Sequence, residues 1–478
     1  MAKRTLVPSV AAEFDGAQLG DERRSRRLKK IVTKLAAEPS ESFPKSMGSE
    51  SALEAFYRFI NNCGFSSAAV LKPHIDKSLI RAGIEDSVLA IHDTTTLNYP
   101  SFSPRQGMGR TTPGLKQGFY AHTSLLVAED GLPLGVGHME LYSRAGKPIP
   151  AKRPKMRENA KNPKRESLRW VRAVEKLERD KPEGLAIVHV ADAEGDFYEL
   201  LSRTSDIGAK FVVRAAQLTR IVTDDSNENT AALASILVTK KPMFQREISL
   251  TERRYRVRKV PKEHLKKHPP RKARTTTVNV SVASITIEKT ESASTATPSI
   301  KLHAIRIWEP KAPKGDKPIE WVLLTNEPID SRAALERIVD IYRKRWLIEE
   351  FFKALKYGCA IEKRQVESFD GLCDILAICA PIAYRLLFIR ALHRTSKEGQ
   401  ARALFDHVDI KILQSAESNA ALGPIKTLDD EILHLARFGG HLKRNGDPGW
   451  ETLGRGYEKL LIYRAGWEAA LESLEFSK

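Results

Sequence analysis

Three carboxylates have the residue types and surroundings that chemistry on a phosphodiester requires: Asp93 in AIHDTTTLNY, Asp192 in IVHVADAEGD, and Glu349 in IYRKRWLIEEFFKALK. Each aspartate follows an apolar run that reads as a strand, and strand ends are where an α/β sheet lines a crevice. Glu349 lies in a stretch of helical periodicity, 331–356. With Tyr342 as origin and an advance of about 100° per residue, Arg345, Trp346, Glu349, Lys353 and Lys356 fall on one half of the helix surface. Ile338, Ile341, Ile348 and Phe352 form a separate apolar stripe. Alone, either aspartate reads as a turn or cap residue, and surface ion pairing is the lesser alternative for Glu349 among its cations. Together, three carboxylates with no accompanying histidine or thiolate set favour Mg²⁺ or Mn²⁺ over zinc. Two such ions against a phosphate would serve both the attacking and the leaving oxygen.

The elements that must position these acids can be read along the chain. Up to about residue 75 the pattern is helical: Asp21 caps a segment carrying Arg23, Arg24, Arg26, Arg27, Lys29, Lys30 and Lys34 over an apolar stripe of Leu28, Ile31, Val32 and Leu35. Ser49 caps a second helix, SESALEAFYRFINN, with Phe56, Phe59 and Ile60 inward. A small DNA-binding domain of helix-turn-helix character and a solvated charged face fit this stretch about equally well. From Ser87, SVLAIHD, YAHTSLLVAED and LPLGVGHMELYS predict an antiparallel meander turning at Asp130-Gly131. A helix around 166–178, a strand LAIVHVAD, a helix DFYELLSR and a strand KFVVRAA follow, and a meander leading into alternating helix and strand is the order of a ribonuclease-H-like mixed sheet. Residues 217–325 interrupt it with alternating β-rich segments, and within them 253–274 holds eleven lysines and arginines against the single acid Glu263. Such a basic loop would give affinity for DNA without sequence specificity.

A formal charge of +18 on 478 residues points to polyanionic partners. The four cysteines, Cys63, Cys359, Cys373 and Cys379, have no C-x-x-C spacing, so the expectation is reduced, structural thiols. The N-terminal stretch lacks an apolar leader and no apolar run reads as long enough to span a bilayer, which predicts a cytoplasmic protein. After Gly371 the chain is helical, ending in GRGYEKLLIYRAGWEAALESLEF with Tyr457, Tyr463 and Trp467 on an expected interaction surface.

DTTTLNY, VADAEGDFYELL, KFVVRAA, EWVLLTNEPI and IYRKRWLIEEFFKALKYG resemble the corresponding segments of bacterial DDE transposases of the insertion-sequence-four family, in particular the subgroup that includes the transposase of the kanamycin-resistance composite transposon. LGDERRSRRL and GSESALEAFYRFINN fit it as well, and the resemblance covers nearly the whole chain, most weakly after about residue 395. It implies a ribonuclease-H-like catalytic domain at 76–370 with a β-strand insertion at 217–325, an N-terminal helical DNA-binding domain at 1–75 and a C-terminal helical dimerisation domain at 371–478. Asp93, Asp192 and Glu349 would be the metal-binding catalytic triad, holding two Mg²⁺ ions. Tyr342, Arg345, Glu349 and Lys356 reproduce the family's Y-x-x-R-x-x-x-E-x-x-x-x-x-x-K signature, whose basic members hold phosphates near the transposon end. Trp321 matches an aromatic platform for a flipped base and Trp346 the residue that fills the resulting gap; Arg214 resembles a DNA contact. The implied reaction is cut-and-paste transposition through a DNA hairpin, by a homodimer on double-stranded DNA. One departure is Ala193, where relatives often carry a charged residue, with Glu194 and Asp196 keeping the acidic character. An inactive DNA-binding regulator, or a ribonuclease-H-like nuclease that cuts without joining, are the alternatives.

Overall fold

The computed structural model describes residues 10–99, 104–111, 117–146, 162, 165–250, 252, 265, 269–291, 293–396, 405–442 and 448–475. Most of the basic stretch at 253–274 lies outside the described residues. In chain order, helices α1 (Glu22–Ala37), α2 (Phe43–Met47), α3 (Glu50–Ile60) and α4 (Ser67–Ala82) precede strands β1 (Ser87–Tyr99), β2 (Gly109–Arg110), β3 (Gln117–Ala128) and β4 (Pro133–Tyr142). Then come α5 (Leu168–Asp180), β5 (Ala186–Ala191), α6 (Tyr198–Asp206), β6 (Lys210–Arg214), β7 (Ile221–Asp224), β8 (Asn229–Ala232), α7 (Leu233–Thr239), β9 (Phe244–Leu250), β10 (Arg274–Glu288), β11 (Ser299–Trp308) and β12 (Glu320–Thr325). Helices α8 (Arg332–Lys344), α9 (Trp346–Lys353), α10 (Phe369–Ser396), α11 (His407–Ser415), α12 (Leu428–Phe438) and α13 (Trp450–Glu475) complete the described chain.

By compactness the chain forms two units, Met1–Ile149 with Asp180–Ala186 and Trp346–Lys478, and Pro150–Arg179 with Ile187–Arg345. The expected boundaries at 75/76 and 370/371 fall inside α4 and α10, because neither helix ends there. In the first unit, Asp21 caps α1 by accepting from Arg23 N at 2.8 Å, and Ser49 caps α3 by accepting from Ala52 N at 3.3 Å. The buried faces of these helices carry the expected Leu28, Ile31, Val32 and Leu35, and Phe56, Phe59 and Ile60. The meander forms as β1 pairs antiparallel with β3 from Val88↔Ala128 to Tyr99↔Gln117, and β3 with β4. Gly131, at φ 96°, supplies the left-handed turn residue between them, with Leu132 N donating to the Asp130 carboxylate at 2.9 Å. Helices α4 and α10 cover β4.

Helix α10 corrects the reading of the apolar runs. Its Phe369–Leu392 stretch is long and apolar enough by composition to cross a membrane, and that stretch is buried inside the fold. Asp374 and Arg385 interrupt the run as it appears in the sequence, yet both are buried, and Arg385 pairs with Glu458 of α13. Apolar all round, α10 is the core helix of this unit.

The second unit is built on a large mixed sheet. β5 and β6 run parallel, Val188↔Lys210 to Ala191↔Val213, and the remaining pairings are antiparallel, from β6 through β12, β11 and β10 to β7 and β8, with β9 also on β10. The β-rich insertion therefore extends the same sheet instead of standing apart from it. The sequence TNEP makes the join: Thr325 Oγ1 donates to Phe211 O, Asn326 Oδ1 accepts from Phe211 N at 3.0 Å, and Asn326 Nδ2 donates to Ala209 O at 2.8 Å. One core, with Trp170 and Val174 of α5, Leu200 and Leu201 of α6, and Leu233 and Ile236 of α7 against Phe211, Ile285, Leu302 and Leu324, lies on this sheet. Burial at about 25 cal/mol per Å² of apolar surface is the main stabilising contribution.

Candidate nucleic-acid interface and metal centre

In the second unit Asp192, Arg214, Trp321 and Arg345 lie around Tyr342. β5 ends at Ala191, and Asp192 caps the following 3₁₀ turn, its Oδ1 accepting from Glu194 N at 2.9 Å. β6 ends at Arg214, whose cross-strand partner on β12 is Leu323, two residues from Trp321 on the same face. Trp321 meets Tyr342 edge-on, ring centroids 6.1 Å apart. Burial pushes the Tyr342 hydroxyl up, the charges of Arg345 and Arg214 pull against that, and Asp192 adds to the rise. An acid, two arginines and a tryptophan thus each lie within electrostatic or van der Waals reach of Tyr342. Anion recognition beside an aromatic surface is what this set can do.

In the first unit, Asp93 lies within β1, opposite Thr123 of β3, and not at the strand end expected for it, because the pairing with β3 continues to Tyr99; Glu349 belongs to α9, which lies against β1. Asp93 Oδ1 accepts from Thr94 N at 2.7 Å. A buried polar ladder ties β1 to β3 beside it, with His92 Nδ1 2.8 Å from Ser124 Oγ and His122 Nδ1 2.9 Å from Thr94 Oγ1. Glu349 follows Ile348 of the buried face and is itself half-buried. Lys353 Nζ sits 4.7 Å above the exposed Trp346 ring, a cation–π contact across two helical turns. Lys356 Nζ donates to Thr96 O at 2.7 Å and lies 4.0 Å from Glu362, whose Oε1 accepts from Asn98 N at 2.9 Å. Burial lowers its pKa and Glu362 opposes the shift. Lys356 therefore secures β1 three residues beyond Asp93.

The single helix expected over 331–356 is broken. α8 ends at Lys344, α9 begins at Trp346, and Ala354–Gly358 is a π-helical turn. A π turn is wider and advances less per residue, so Lys356 departs from the position an ideal wheel assigns.

Of the arginines expected to face DNA in α1, Arg23 and Arg27 are exposed, with Arg23 3.4 Å from Asp21. Arg24 turns inward, donating to Leu19 O at 2.8 Å and Gly64 O at 3.4 Å, with Phe65 6.0 Å away. It fastens α1 to the loop after α3, a contact across 40 residues that helical periodicity alone does not reveal. Glu194 and Asp196 also part company. Glu194 is exposed and pairs with Arg169 at 3.3 Å, whereas Asp196 is buried on Arg220 at 2.6 Å. Cys359, Cys373 and Cys379 are buried free thiols as expected, and Cys63 is exposed.

The donor chemistry of Asp93, Asp192 and Glu349 suits hard divalent cations. Among the described residues, no group of three or more His, Cys, Asp or Glu side chains is arranged to hold a metal ion. Residues 9–64 match the transposase DNA-binding family, and residues 187–380 match the transposase DDE domain. Asp192 and Glu349 fall within the second match and Asp93 precedes it. A DDE domain is ribonuclease-H-like and uses divalent metal ions, and the two matches together support a DNA transposase with DNA as its partner.

Proposed function

We propose that this chain is a cut-and-paste DNA transposase of the insertion-sequence-four type, with Asp93, Asp192 and Glu349 as its catalytic acids. The observation that carries the reading is the set of Asp192, Arg214, Trp321, Tyr342 and Arg345 in one unit, within or beside the segment matched to a DDE domain. Two Mg²⁺ ions held by the three acids would supply activation of the attacking oxygen and neutralisation of the leaving one. Arg214, Arg345 and the Tyr342 hydroxyl hold a backbone phosphate at the transposon end. At that end, water attacks phosphorus as the P–O3′ bond breaks and leaves a 3′-hydroxyl. The hydroxyl then displaces flanking DNA from the opposite strand, closing a hairpin that a second water reopens before the 3′ end attacks target DNA. Hairpin closure demands a sharp bend, and a flipped base stacked on Trp321, with Trp346 filling the gap, relieves it at an unstacking cost of a few kcal/mol.

Exposed Arg23 and Arg27 of α1 and the cation of Lys353 add phosphate contacts. On α13, Tyr463, Trp467 and Leu471 recur every four residues and stay exposed at 59%, 46% and 48%. This stripe suits pairing of two subunits, whereas Tyr457 is buried within its own chain. Pre-cut ends bearing free 3′-hydroxyls, mixed with a supercoiled plasmid and Mg²⁺, test the reading. Joined products are expected; nicking with no joined product would make the protein a nuclease, and end binding with neither would make it a regulator.

A further inference from the structure

Asp196 lies four residues beyond Asp192, and its side chain is fully buried. Its Oδ2 accepts two consecutive backbone amides, Ala216 N at 2.7 Å and Gln217 N at 2.8 Å. Arg220 Nη2 lies 2.6 Å from Oδ1, and the Asp196 carbonyl accepts from Gln217 Nε2 at 2.7 Å. One carboxylate thus fastens the turn that leaves β5 to the turn that leaves β6. These strands are parallel neighbours in the register Ala191↔Val213, so Asp192, just past β5, and Arg214, the last residue of β6, stand next to each other. Gly195 lets the first turn fold back tightly: a Cβ there would stand 2.7 Å from the Ala191 Cβ. On the far side the Arg214 charge acts on the Tyr342 hydroxyl, and Ala215 N donates to Val322 O at 2.8 Å, next to Trp321. A buried carboxylate that accepts two amides through one oxygen and pairs with a guanidinium through the other makes a rigid joint, because bonds to a charged acceptor are short and each lost partner leaves a buried group unsatisfied.

We propose that Asp196 is a positioning residue that fixes Asp192 relative to the Arg214–Tyr342 pair, and thereby sets how strongly the cleavage site grips its divalent metal. The proposal rests on the reading of Asp192 and Arg214 given above. Outer residues that orient metal ligands change metal affinity or activity by about 10- to 100-fold when replaced. The test compares full-length wild type, Asp196→Asn, and the double variant Asp196→Asn with Arg220→Gln, which removes the stranded buried cation. Hydrogen exchange without DNA or metal is expected to accelerate about tenfold or more at residues 214–218 in both variants, since two amides lose their carboxylate acceptor. The Mg²⁺ concentration for half-maximal nicking is expected to rise about tenfold in both. Thermal stability is expected to fall in the single variant and to recover in the double. Recovery of metal demand together with stability would reduce Asp196 to a structural role and overturn the proposal, as would unchanged exchange. Wild type that fails to nick at any Mg²⁺ concentration would instead overturn the assignment of function, and the proposal with it.

Discussion

Replacing Glu13 with Gln should unlock the N-terminal segment in a way that depends on pH. Glu13 is buried at 1% exposure; its carboxylate faces His74 Nδ1 at 2.6 Å and Arg81 Nη1 at 2.8 Å. Val136 N donates to His74 Nε2 at 3.1 Å, so that nitrogen is an acceptor and the Nδ1–H donates to Glu13. Burial holds the His74 pKa down, and the imidazole is neutral in the fold. Arg81 completes the clasp through Leu134 O at 2.6 Å, joining the segment around Glu13 to α4 and β4. Burial alone would raise the Glu13 pKa, but the His74 bond and the Arg81 charge overcome it and bring it from 4.5 to about 2. At about 1.4 kcal/mol per pH unit, with the neutral state of His74 discounted, the clasp contributes about 2 to 3 kcal/mol. The folded carboxyl has the lower pKa, so this stability is complete above pH 4.5 and is lost as pH falls toward 2. His74 acts in the same direction at higher pH, because below about 6.5 the unfolded chain gains a proton that the fold refuses. Urea unfolding followed by hydrogen exchange in 67–82 is the assay. Glu13→Gln should be weaker by about 2 to 3 kcal/mol at pH 7.5, and its deficit should shrink by about 1.4 kcal/mol per unit below pH 4.5. A deficit under about 0.5 kcal/mol, or one that does not change with pH, would refute the clasp.

Arg24→Ala should lower thermal stability by about 1 to 2 kcal/mol through its lost carbonyl bonds, whereas Arg27→Ala should leave stability intact and reduce the salt slope of DNA binding by about one; equal effects on both readouts would contradict the inward turn of Arg24. Burial, reinforced by Asp370, raises the Asp374 pKa to about 7, so wild type loses stability as pH climbs from about 4 to 7. Asp374→Asn should consequently be more stable at pH 8 by about 2 to 4 kcal/mol and show no advantage at pH 4, as denaturation at the two pH values would reveal. Trp321→Ala should slow hairpin closure far more than first-strand nicking when both products are resolved on denaturing gels, and equal slowing would remove the base platform from the account.

The meander and the β5–α6–β6 run were legible because β-branched runs end in recognisable turn residues, and because Asp21 and Ser49 cap helices through purely local bonds. Long-range commitments were not. Asp196 reads in the sequence as one more acid near a metal site, and only Arg220 and the amides of 216 and 217 make it a buried joint. The break between α8 and α9 and the π turn after Lys353 leave no mark on hydrophobic spacing. The hairpin of β7 and β8 does carry a local signal, a polar DDSNEN turn in which Asp224 accepts from Ser226 N at 3.1 Å and Glu228 takes φ 57°. At the candidate site, residue types were readable while partners were not: Arg214 with Tyr342, and Lys356 with Thr96 O, depend on how strands and helices pack.

Glu349→Gln keeps the shape of the side chain and removes the charge that the proposed metal centre needs. With purified full-length protein and labelled transposon-end DNA, end binding is expected within about twofold of wild type and Mg²⁺-dependent nicking is expected to fall by more than about 100-fold. Nicking at the wild-type rate by that variant would contradict the assignment of the three acids.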